Sequence, residues 1–372
     1  MRTTFHLKTL AVAIATLSVA SVTNAAGLDR SGQDVTAFFQ DGTYAEAVYT
    51  YIDADVSGYD SSNNDPLNNR YERGNKTGDI AESYDFFRYG VKTDINDTFS
   101  IGVLYDEPFG AAAEYKGDNN FVANTNPADS AGEFANDPAP NDPISGGTTA
   151  ALKPAIIGAE NSTAGENTKV EVRSENLTAI LGMKLGADKN FQIYGGPVAQ
   201  RVKSDVKLRG LAYGPATSYT SHITPDQDYG WLAGISYSKP EIALKAALTY
   251  RSEIDHSMNI YESYPLAPVL SGGALPSTQV TNMEITTPKS VNFDFQTGIN
   301  PTTLATAKVR WVPWSDFAIT PPLYNAASKN PVSRPDGLNL VDYDDDQWQV
   351  ELGLAKRVAP ALAVSGTVGW DS

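Results

Sequence analysis

The chain of 372 residues contains no cysteine and only three histidines. Without cysteine there is no disulfide framework, thiolate nucleophile or cysteine-ligated metal site, and three histidines exclude a multi-histidine centre. Basic residues are also scarce, with 28 Lys and Arg against 44 Asp and Glu and a formal charge of −16. Nucleic-acid binding requires clustered Lys and Arg, so that function is excluded. We expect no cofactor, no bound metal and no enzymatic activity.

Long hydrophobic runs are missing as well. Beyond the N-terminus no stretch approaches the ~18 consecutive apolar residues of a membrane helix. Residues 1–25 are typical of a secretory signal peptide, because Arg2 and Lys8 accompany an apolar run from Leu10 to Ala20 that ends in small residues. We therefore predict an exported mature chain that begins at Ala26, with a formal charge of −18.

The mature chain alternates apolar and polar residues with a period of two, which indicates β-strands. In 242–255, for example, Leu244 and Leu248 share one face while Lys245 and Arg251 share the other. Eleven strands are predicted, at about 44–56, 84–93, 99–106, 177–186, 192–209, 229–238, 242–255, 291–299, 303–316, 347–356 and 361–370.

Two further features favour an all-β, transmembrane antiparallel barrel over a soluble sandwich. Aromatic residues such as Trp231, Trp348 and Trp370 lie near the ends of the apolar faces, as in the girdles of membrane barrels. Connections alternate between short turns and long polar loops, which is the arrangement of outer-membrane barrels. The long loops are expected at about 57–82, 107–168, 210–227, 257–288 and 318–343.

An odd number of strands is unfavourable in a membrane barrel. It leaves a sheet edge unpaired in lipid, where the backbone N–H and C=O groups have no hydrogen-bond partners. We expect either that the chain is truncated at its C-terminus or that one strand is miscounted. The final residues, Asp371 and Ser372, lack a terminal aromatic side chain, which favours truncation.

Several segments resemble those of a known family. Residues 246–253 (AALTYRSE) follow 228–235 (DYGWLAGI) across a tight hairpin, and residues 311–317 (WVPWSDF) end another strand. With 287–289 (TPK) and 364–371, they resemble the FadL family of outer-membrane long-chain fatty-acid and hydrocarbon transporters. The resemblance implies a barrel of about fourteen strands, about eleven of them present here in residues 43–372.

The resemblance also implies an N-terminal hatch in the lumen. Residues 26–42 are the matching segment, although the Asn-Pro-Ala signature of many family hatches is absent. Its apolar residues are Leu28, Val35, Phe38 and Phe39.

Passive transport of hydrophobic compounds, most of all long-chain fatty acids, is the function that the resemblance implies. In the family, external loops capture the substrate, which leaves sideways through a gap where the third strand kinks. The matching residues are Pro108, Phe109 and Gly110, and proline and glycine suit a local opening because they weaken a strand. They could equally well begin the long loop 107–168.

A lumen-facing cation could hold the carboxylate of a fatty acid, and the resemblance favours Arg201. An ordinary polar barrel interior is the alternative for every such residue. The predicted lumen cations are Arg201, Lys203, Lys245, Arg251 and Arg310.

The two long loops 210–227 and 257–288 carry apolar residues that fit an external capture groove, or else pack together as a lid. The predicted capture residues are Leu211, Tyr213, Tyr219, Tyr261, Tyr264 and Leu266.

Rival functions are a general porin for polar solutes, a surface adhesin and an outer-membrane phospholipase. The last rests only on the adjacent pair Ser221 and His222, which lacks a catalytic motif. The acidic run from Asp342 to Asp346 lacks the spacing of a calcium loop and is expected to be solvated. The expected partners are a hydrophobic substrate and outer-membrane lipid or lipopolysaccharide, with the chain acting as a monomer.

Overall fold

The structure is a computed structural model that describes residues 28–62, 71–123, 162–329, 334–359 and 362–372, together with Ala155, Gly158 and Ala159. The predicted signal peptide lies outside these residues, as do the first two residues of the expected hatch and much of the loop 107–168. Within the described residues, no helix has the length and apolar character needed to cross a bilayer.

Antiparallel strands make up most of the described chain. The strands are β1 (Tyr44–Ile52), β2 (Ser57–Ser61), β3 (Arg73–Asp79), β4 (Tyr84–Asp94), β5 (Phe99–Asp106), β6 (Gly110–Glu114), β7 (Lys169–Leu185), β8 (Phe191–Lys207), β9 (Thr220–Lys239), β10 (Leu244–Arg251), β11 (Ile254–Ser263), β12 (Thr278–Thr287), β13 (Ser290–Asn300), β14 (Thr303–Val312), β15 (Ala318–Ile319), β16 (Val341–Asp342), β17 (Gln347–Ala359) and β18 (Leu362–Asp371). The α-helices are α1 (Ala267–Leu270) and α2 (Pro322–Ser328), and the 3-10 helices are Thr36–Phe39, Leu211–Ala216, Pro240–Ile242 and Trp314–Asp316.

One sheet forms the body of the protein, with the strand order β1-β4-β5-β7-β8-β9-β10-β13-β14-β17-β18. Three of these positions are occupied by strands broken in the middle, because β6 continues β5, β11 continues β10 and β12 precedes β13. The eleven positions coincide with the eleven predicted strands. The alternating pattern thus located each of them, and the expected all-β fold is confirmed.

The sheet has an apolar outer face and a polar inner face, the reverse of a soluble sandwich. On β7, Leu181 is 54% exposed, whereas the inward Asn176 and Thr178 are buried. On β8, Ile193 is exposed on the same outer face. An outward apolar band around a polar interior is the distribution of a barrel that contacts lipid.

On the neighbouring strands β7, β8 and β9, the apolar side chains change from the outer face to the inner face at one level. Leu177, Ala199 and Tyr229 pair side by side and end the apolar outer band. The next outward residues are Glu175, Arg201 and Gln227, also paired side by side and exposed. Beyond this level, apolar residues point inward, such as Val202 and Val206 on β8. We call this level the outer boundary of the apolar band.

The reversal corrects two predicted loops. Residues 210–227 and 257–288 contain the first part of β9, most of β11 and all of β12, so the barrel wall continues past the apolar band. In β11 the inward residues are Ile254, His256, Met258, Ile260 and Glu262. Because the outward positions there are mostly polar, the signal for a lipid-facing strand is lost although the strand itself continues.

Candidate functional site

The N-terminal segment, residues 28–40, lies on the inner face of the sheet. Asp34 pairs with Lys308 of β14 at 2.7 Å and with Arg88 of β4 at 3.3 Å. Asp29 pairs with Arg310 of β14 at 2.5 Å. Because β4 and β14 are the second and ninth positions of the sheet, a contact with both requires the sheet to curl around this segment.

The acidic group at the centre of these contacts is Asp34. Burial opposes the ionisation of its carboxyl, but Lys308 and Arg88 outweigh burial and hold the pKa of Asp34 well below its usual range. The carboxylate is therefore charged at neutral pH and binds the segment to two separate parts of the wall.

The expected hatch residues occupy two apolar clusters. Val35 and Phe38 are fully buried among Leu104, Ile180 and Leu232. Phe39 is half-buried and its ring lies edge-on to Tyr194, with the centroids 5.1 Å apart. Leu28 belongs to a separate apolar cluster, which also contains Phe109 and Trp314.

Two glycines give Phe38 its position. A Cβ atom at Gly102 of β5 or at Gly182 of β7 would lie 2.8 Å from the Phe38 ring. These glycines are therefore required by the close approach of the segment to the wall, which seats the ring directly on the backbone of two neighbouring strands.

The third strand breaks where the sequence predicts a kink. Its two halves both pair with β7, but three residues of the strand, 107–109, stand opposite two residues of β7, 174 and 175. This is a one-residue bulge. Ser174 Oγ accepts a hydrogen bond from the Phe109 N–H and donates one to the Phe109 carbonyl, both at 2.7 Å. These two hydrogen bonds of the Ser174 side chain thus replace the backbone ladder bonds that are missing at the bulge.

On its other side, the broken strand separates from β4. Ladder pairing between them ends at Tyr89 and Tyr105, and pairing resumes only at an isolated bridge between Ala81 and Ala113. The ladder is interrupted between these points, where the Phe87 N–H donates to the side chain of Glu107. We call this interval the strand-three split; it lies at the outer boundary, since Tyr105 pairs with Leu177.

The N-terminal segment pairs with the inner side of the kink. The Arg30 N–H donates to the Pro108 carbonyl and the Gly110 N–H donates to the Leu28 carbonyl, both at 2.7 Å. The N-terminal segment and the strand-three split are therefore joined by two backbone hydrogen bonds.

A buried cation lies at the split. The Arg30 guanidinium is stacked on the ring of Tyr84 of β4, 4.0 Å from its centroid. Its Nε and Nη2 atoms have no hydrogen-bond partner among the described residues. A Cβ atom at Gly110 would lie 2.6 Å from Cζ of Arg30, so this glycine leaves the space that the guanidinium fills.

Beside the kink lies a small apolar pocket of about 20 Å³. Phe109 forms one wall, and its ring meets Trp314 edge-on at 5.5 Å. Val202 and Ile223 contribute from β8 and β9, with Leu28 from the hatch segment. The pocket lies within the apolar cluster inside the extended strands, and Phe109 of the broken strand is part of its lining.

A second cluster closes the end of the barrel that carries the long loops. Tyr219, Tyr264 and Leu266 are buried there, together with Leu323 and Tyr324 of α2. The sequence analysis left open a capture groove or a lid for these residues, and their burial matches the lid. They pack against each other as a lid, because the loops return inward and bury their apolar side chains.

The remaining capture residues are scattered. Tyr213 is half-buried beside Phe121, and Tyr261 is exposed on the outer side of β11. Leu211 begins a 3-10 helix, and its side chain lies outside the described part of the structure.

The predicted lumen cations divide into two groups. Arg201 and Lys203 are exposed on the outer face of β8, so their assignment to the lumen is wrong. They lie beyond the outer boundary, where the apolar side chains take the inner positions. Lys245, Arg251 and Arg310 do face inward.

The inward cations contact the N-terminal segment or a neighbouring strand of the sheet. Lys245 donates to the Phe39 carbonyl at 2.6 Å, and Arg251 donates to Thr178 at 3.2 Å. Below Phe39, a cavity of about 650 Å³ opens toward the end with the short turns. Lys245 and Phe39 both line it, so the hatch segment separates this vestibule from the apolar pocket.

The hydrolase alternative is not supported by the geometry. Ser221 is buried on the inner face of β9, whereas His222 is on the outer face and pairs with Asp205 at 2.5 Å. Neighbouring residues of a strand point to opposite sides, so these two side chains do not meet.

Arg30 was missed by the sequence analysis. It stands beside the hatch residue Leu28, but nothing in the pattern marks it as buried, because its burial depends on the approach of Tyr84 and Gly110. The available signal was the departure of the third strand from regular alternation at Pro108.

Comparison with known proteins identifies the fold. No protein-family model matches the chain, and no curated protein matches it. A FadL homologue from Pseudomonas aeruginosa superposes with a TM-score of 0.52 at 15% identity, covering 88% of this chain and 70% of that chain. The toluene transporter TbuX of Ralstonia pickettii gives 0.47 at 10% identity, covering 89% and 76%. The monoaromatic hydrocarbon channel CymD gives 0.47 at 9% identity, covering 94% and 85%.

The first of these similarities covers most of both chains and supports a shared fold. The chain therefore has the fold of the FadL-type β-barrel channels.

Proposed function

We propose that this protein is an outer-membrane channel for hydrophobic small molecules, with long-chain fatty acids as its main substrates. The observation that carries the proposal is the strand-three split, which adjoins a buried apolar pocket at the outer boundary of the apolar band. The FadL-type fold and the apolar outer band support the outer membrane as its location. In this proposal the chain acts as a monomer surrounded by lipid and lipopolysaccharide.

Lateral release through the strand-three split is part of this proposal. A hydrophobic solute in the apolar pocket beside Phe109 would gain nothing by entering the aqueous vestibule below Phe39. In this proposal the solute takes the strand-three split, where the backbone ladder is already interrupted, to reach the lipid around the apolar band. The lid over the long-loop end would admit the solute by moving away from the wall.

Arg30 is the residue we propose for recognition of a fatty-acid carboxylate. A buried guanidinium with unpartnered N–H groups is costly until an acceptor arrives, and a carboxylate offers two oxygens in matching geometry. The alkyl chain would then extend along the apolar cluster that contains Leu28 and Phe109, whose side chains must move apart because the pocket of about 20 Å³ holds little more than one water molecule.

The test is uptake by a bacterial strain that lacks its own fatty-acid transporter and expresses this protein. Labelled oleate, toluene and a disaccharide are offered separately. We expect uptake of oleate and no uptake of the disaccharide. Arg30→Gln should lower the rate of oleate uptake about 10-fold, because a hydrogen bond to a charged group contributes about 1.5–3 kcal/mol. Toluene, which has no carboxylate, should enter at an unchanged rate.

Arg201→Gln is the matched control, since it removes an arginine that is exposed on the outer face. Equal uptake of oleate by the Arg30 and Arg201 variants would contradict the role of Arg30. Toluene uptake without oleate uptake would replace fatty acids by hydrocarbons, and disaccharide uptake alone would establish a porin.

A further inference from the structure

The wall contains a second interruption, between β9 and the broken strand formed by β10 and β11. β9 pairs with β10 from Leu232 onward and with β11 only as far as Ile223. The eight residues between have no ladder partner on that side. Across this interval the Ser252 N–H donates to the Trp231 carbonyl and Thr224 Oγ1 donates to the Asn259 carbonyl.

Three metal-ligating side chains meet in this interruption. Asp226 and Asp228 project from β9, and His256 projects from β11. One ligand atom of each lies within 4.8 Å of the others, and His256 Nδ1 is 3.4 Å from Asp226 Oδ2. Two ligands of one Zn²⁺ ion, each about 2.0–2.2 Å from it, lie about 3–4.3 Å apart. A small side-chain rotation therefore brings all three into coordination distance.

The neighbours of His256 determine which ring nitrogen faces the cluster. Gln200 Nε2 donates to Asn176, so Gln200 Oε1 is left as an acceptor, and it receives Thr287 Oγ1 at 2.6 Å. The same oxygen lies 2.9 Å from His256 Nε2, which makes Nε2 the donor of the neutral ring. The lone pair on Nδ1 then points toward Asp226.

That lone pair has no satisfactory partner in the protein. His256 is fully buried, and neither its Nδ1 atom nor Asp226 Oδ2 has a hydrogen-bond partner among the described residues. Two buried acceptors that face each other are unfavourable. In a metal-ligating histidine, the nitrogen that does not bind the metal usually donates its N–H to a fixed oxygen. His256 has this arrangement, because Nε2 donates to Gln200 Oε1 and Nδ1 points toward Asp226.

We propose that Asp226, Asp228 and His256 bind a divalent transition-metal ion of the Zn²⁺ class. One imidazole and two carboxylates give the mixed nitrogen and oxygen ligands that Zn²⁺ accepts, and water would complete the coordination. The ion balances the two carboxylate charges. It joins β9 to β11 where the ladder is absent, so it closes this interruption while the strand-three split remains free.

Equilibrium titration of the purified full-length chain with Zn²⁺, in detergent and after removal of metal with a chelator, tests this site. One saturable site is expected. His256→Gln should weaken binding at least 100-fold, and Asp228→Asn about 10-fold. His222→Gln is the matched control, because it removes an outward-facing histidine from the same part of the sheet. This variant should bind Zn²⁺ as the unmodified chain does.

The folded state of each variant is checked by its heat-dependent mobility in electrophoresis. If His256→Gln does not fold, the half-buried Asp228 still provides the comparison, with Asp205→Asn as its control. Absence of saturable binding to the unmodified chain would overturn the proposal, and would mean that a proton on Nδ1 bonds to Asp226. Binding that is weakened by His222→Gln but not by His256→Gln would overturn it as well.

Discussion

Lys308 Nζ lies 2.7 Å from the carboxylate of Asp34, a residue 274 positions earlier in the chain. Arg88 approaches the same carboxylate from β4. The N-terminal segment is therefore held in the lumen by charge as well as by the apolar contacts of Val35 and Phe38.

Replacing this carboxylate should loosen the segment. Asp34→Asn removes one partner from a buried ion pair, so we expect the free energy of unfolding at pH 7 to fall by about 3 kcal/mol. Unfolding in urea, followed by tryptophan fluorescence, measures the change. Asp97→Asn, in a turn where the side chain is 97% exposed, is the control and should have no effect.

The same residue predicts a dependence on pH. Because the folded state lowers the pKa of Asp34, its ion pairs stabilise the protein fully above the pKa of about 3.9 in the unfolded chain. This stabilisation is lost as the pH falls from there through the folded-state pKa. Asp34→Asn should therefore reduce the loss of stability below about pH 4. An identical loss in the variant and the unmodified chain would contradict the assignment.

The ring of Phe38 should obstruct the lumen. Phe38→Ala removes the side chain that lies on Gly102 and Gly182, and we expect a higher single-channel conductance in planar bilayers. Gly102→Val should act in the same direction, because the added side chain displaces the ring. Phe191→Ala, at an exposed outer position, is the control. Unchanged conductance in both lumen variants would show that the segment does not limit ion flow.

The lid depends on one buried carboxylate. Glu262 of β11 accepts hydrogen bonds at 2.9 Å from the Leu323 and Tyr324 N–H groups of α2 and from the Tyr219 hydroxyl. Glu262→Gln removes the charge and puts an NH2 group, which cannot accept, in place of one carboxylate oxygen, so at least one of these bonds is lost, each contributing about 1.5–3 kcal/mol. We expect faster proteolysis within 318–343, measured by mass spectrometry of the fragments. Glu284→Gln, exposed on the outer side of β12, should leave the rate unchanged.

The period of the sequence predicted the barrel because the lipid-facing residues repeat strictly along each strand. The period did not predict which residues face the lumen beyond the apolar band, where the outward side chains are no longer required to be apolar. Arg201 was assigned to the lumen because the polar face of residues 192–209 was taken as the inner face, whereas past Ala199 the inner positions of β8, such as Val202 and Val206, are apolar. The burial of Tyr219 and Leu266 was likewise hidden, because a loop that folds inward has the same composition as one that projects into solvent.

The residues that we propose as functional and that the sequence analysis missed depend on contacts between distant strands. Nothing in the local sequence brings Arg30 to Tyr84, or Asp226 to His256, because each pair is joined only once the wall has formed. Pro108 and Gly110 were recognisable, since proline and glycine interrupt a strand wherever it runs.

The paired residues of the N-terminal segment have a consequence for assembly. Gln33 bonds to Ser290 and Asp29 to Arg310, across 257 and 281 residues of chain. Contacts of such sequence separation form slowly, because the loop between them must first be ordered. The residues synthesised first among those described are thus among the last to reach their final positions, and the barrel passes through a stage in which its lumen is still open.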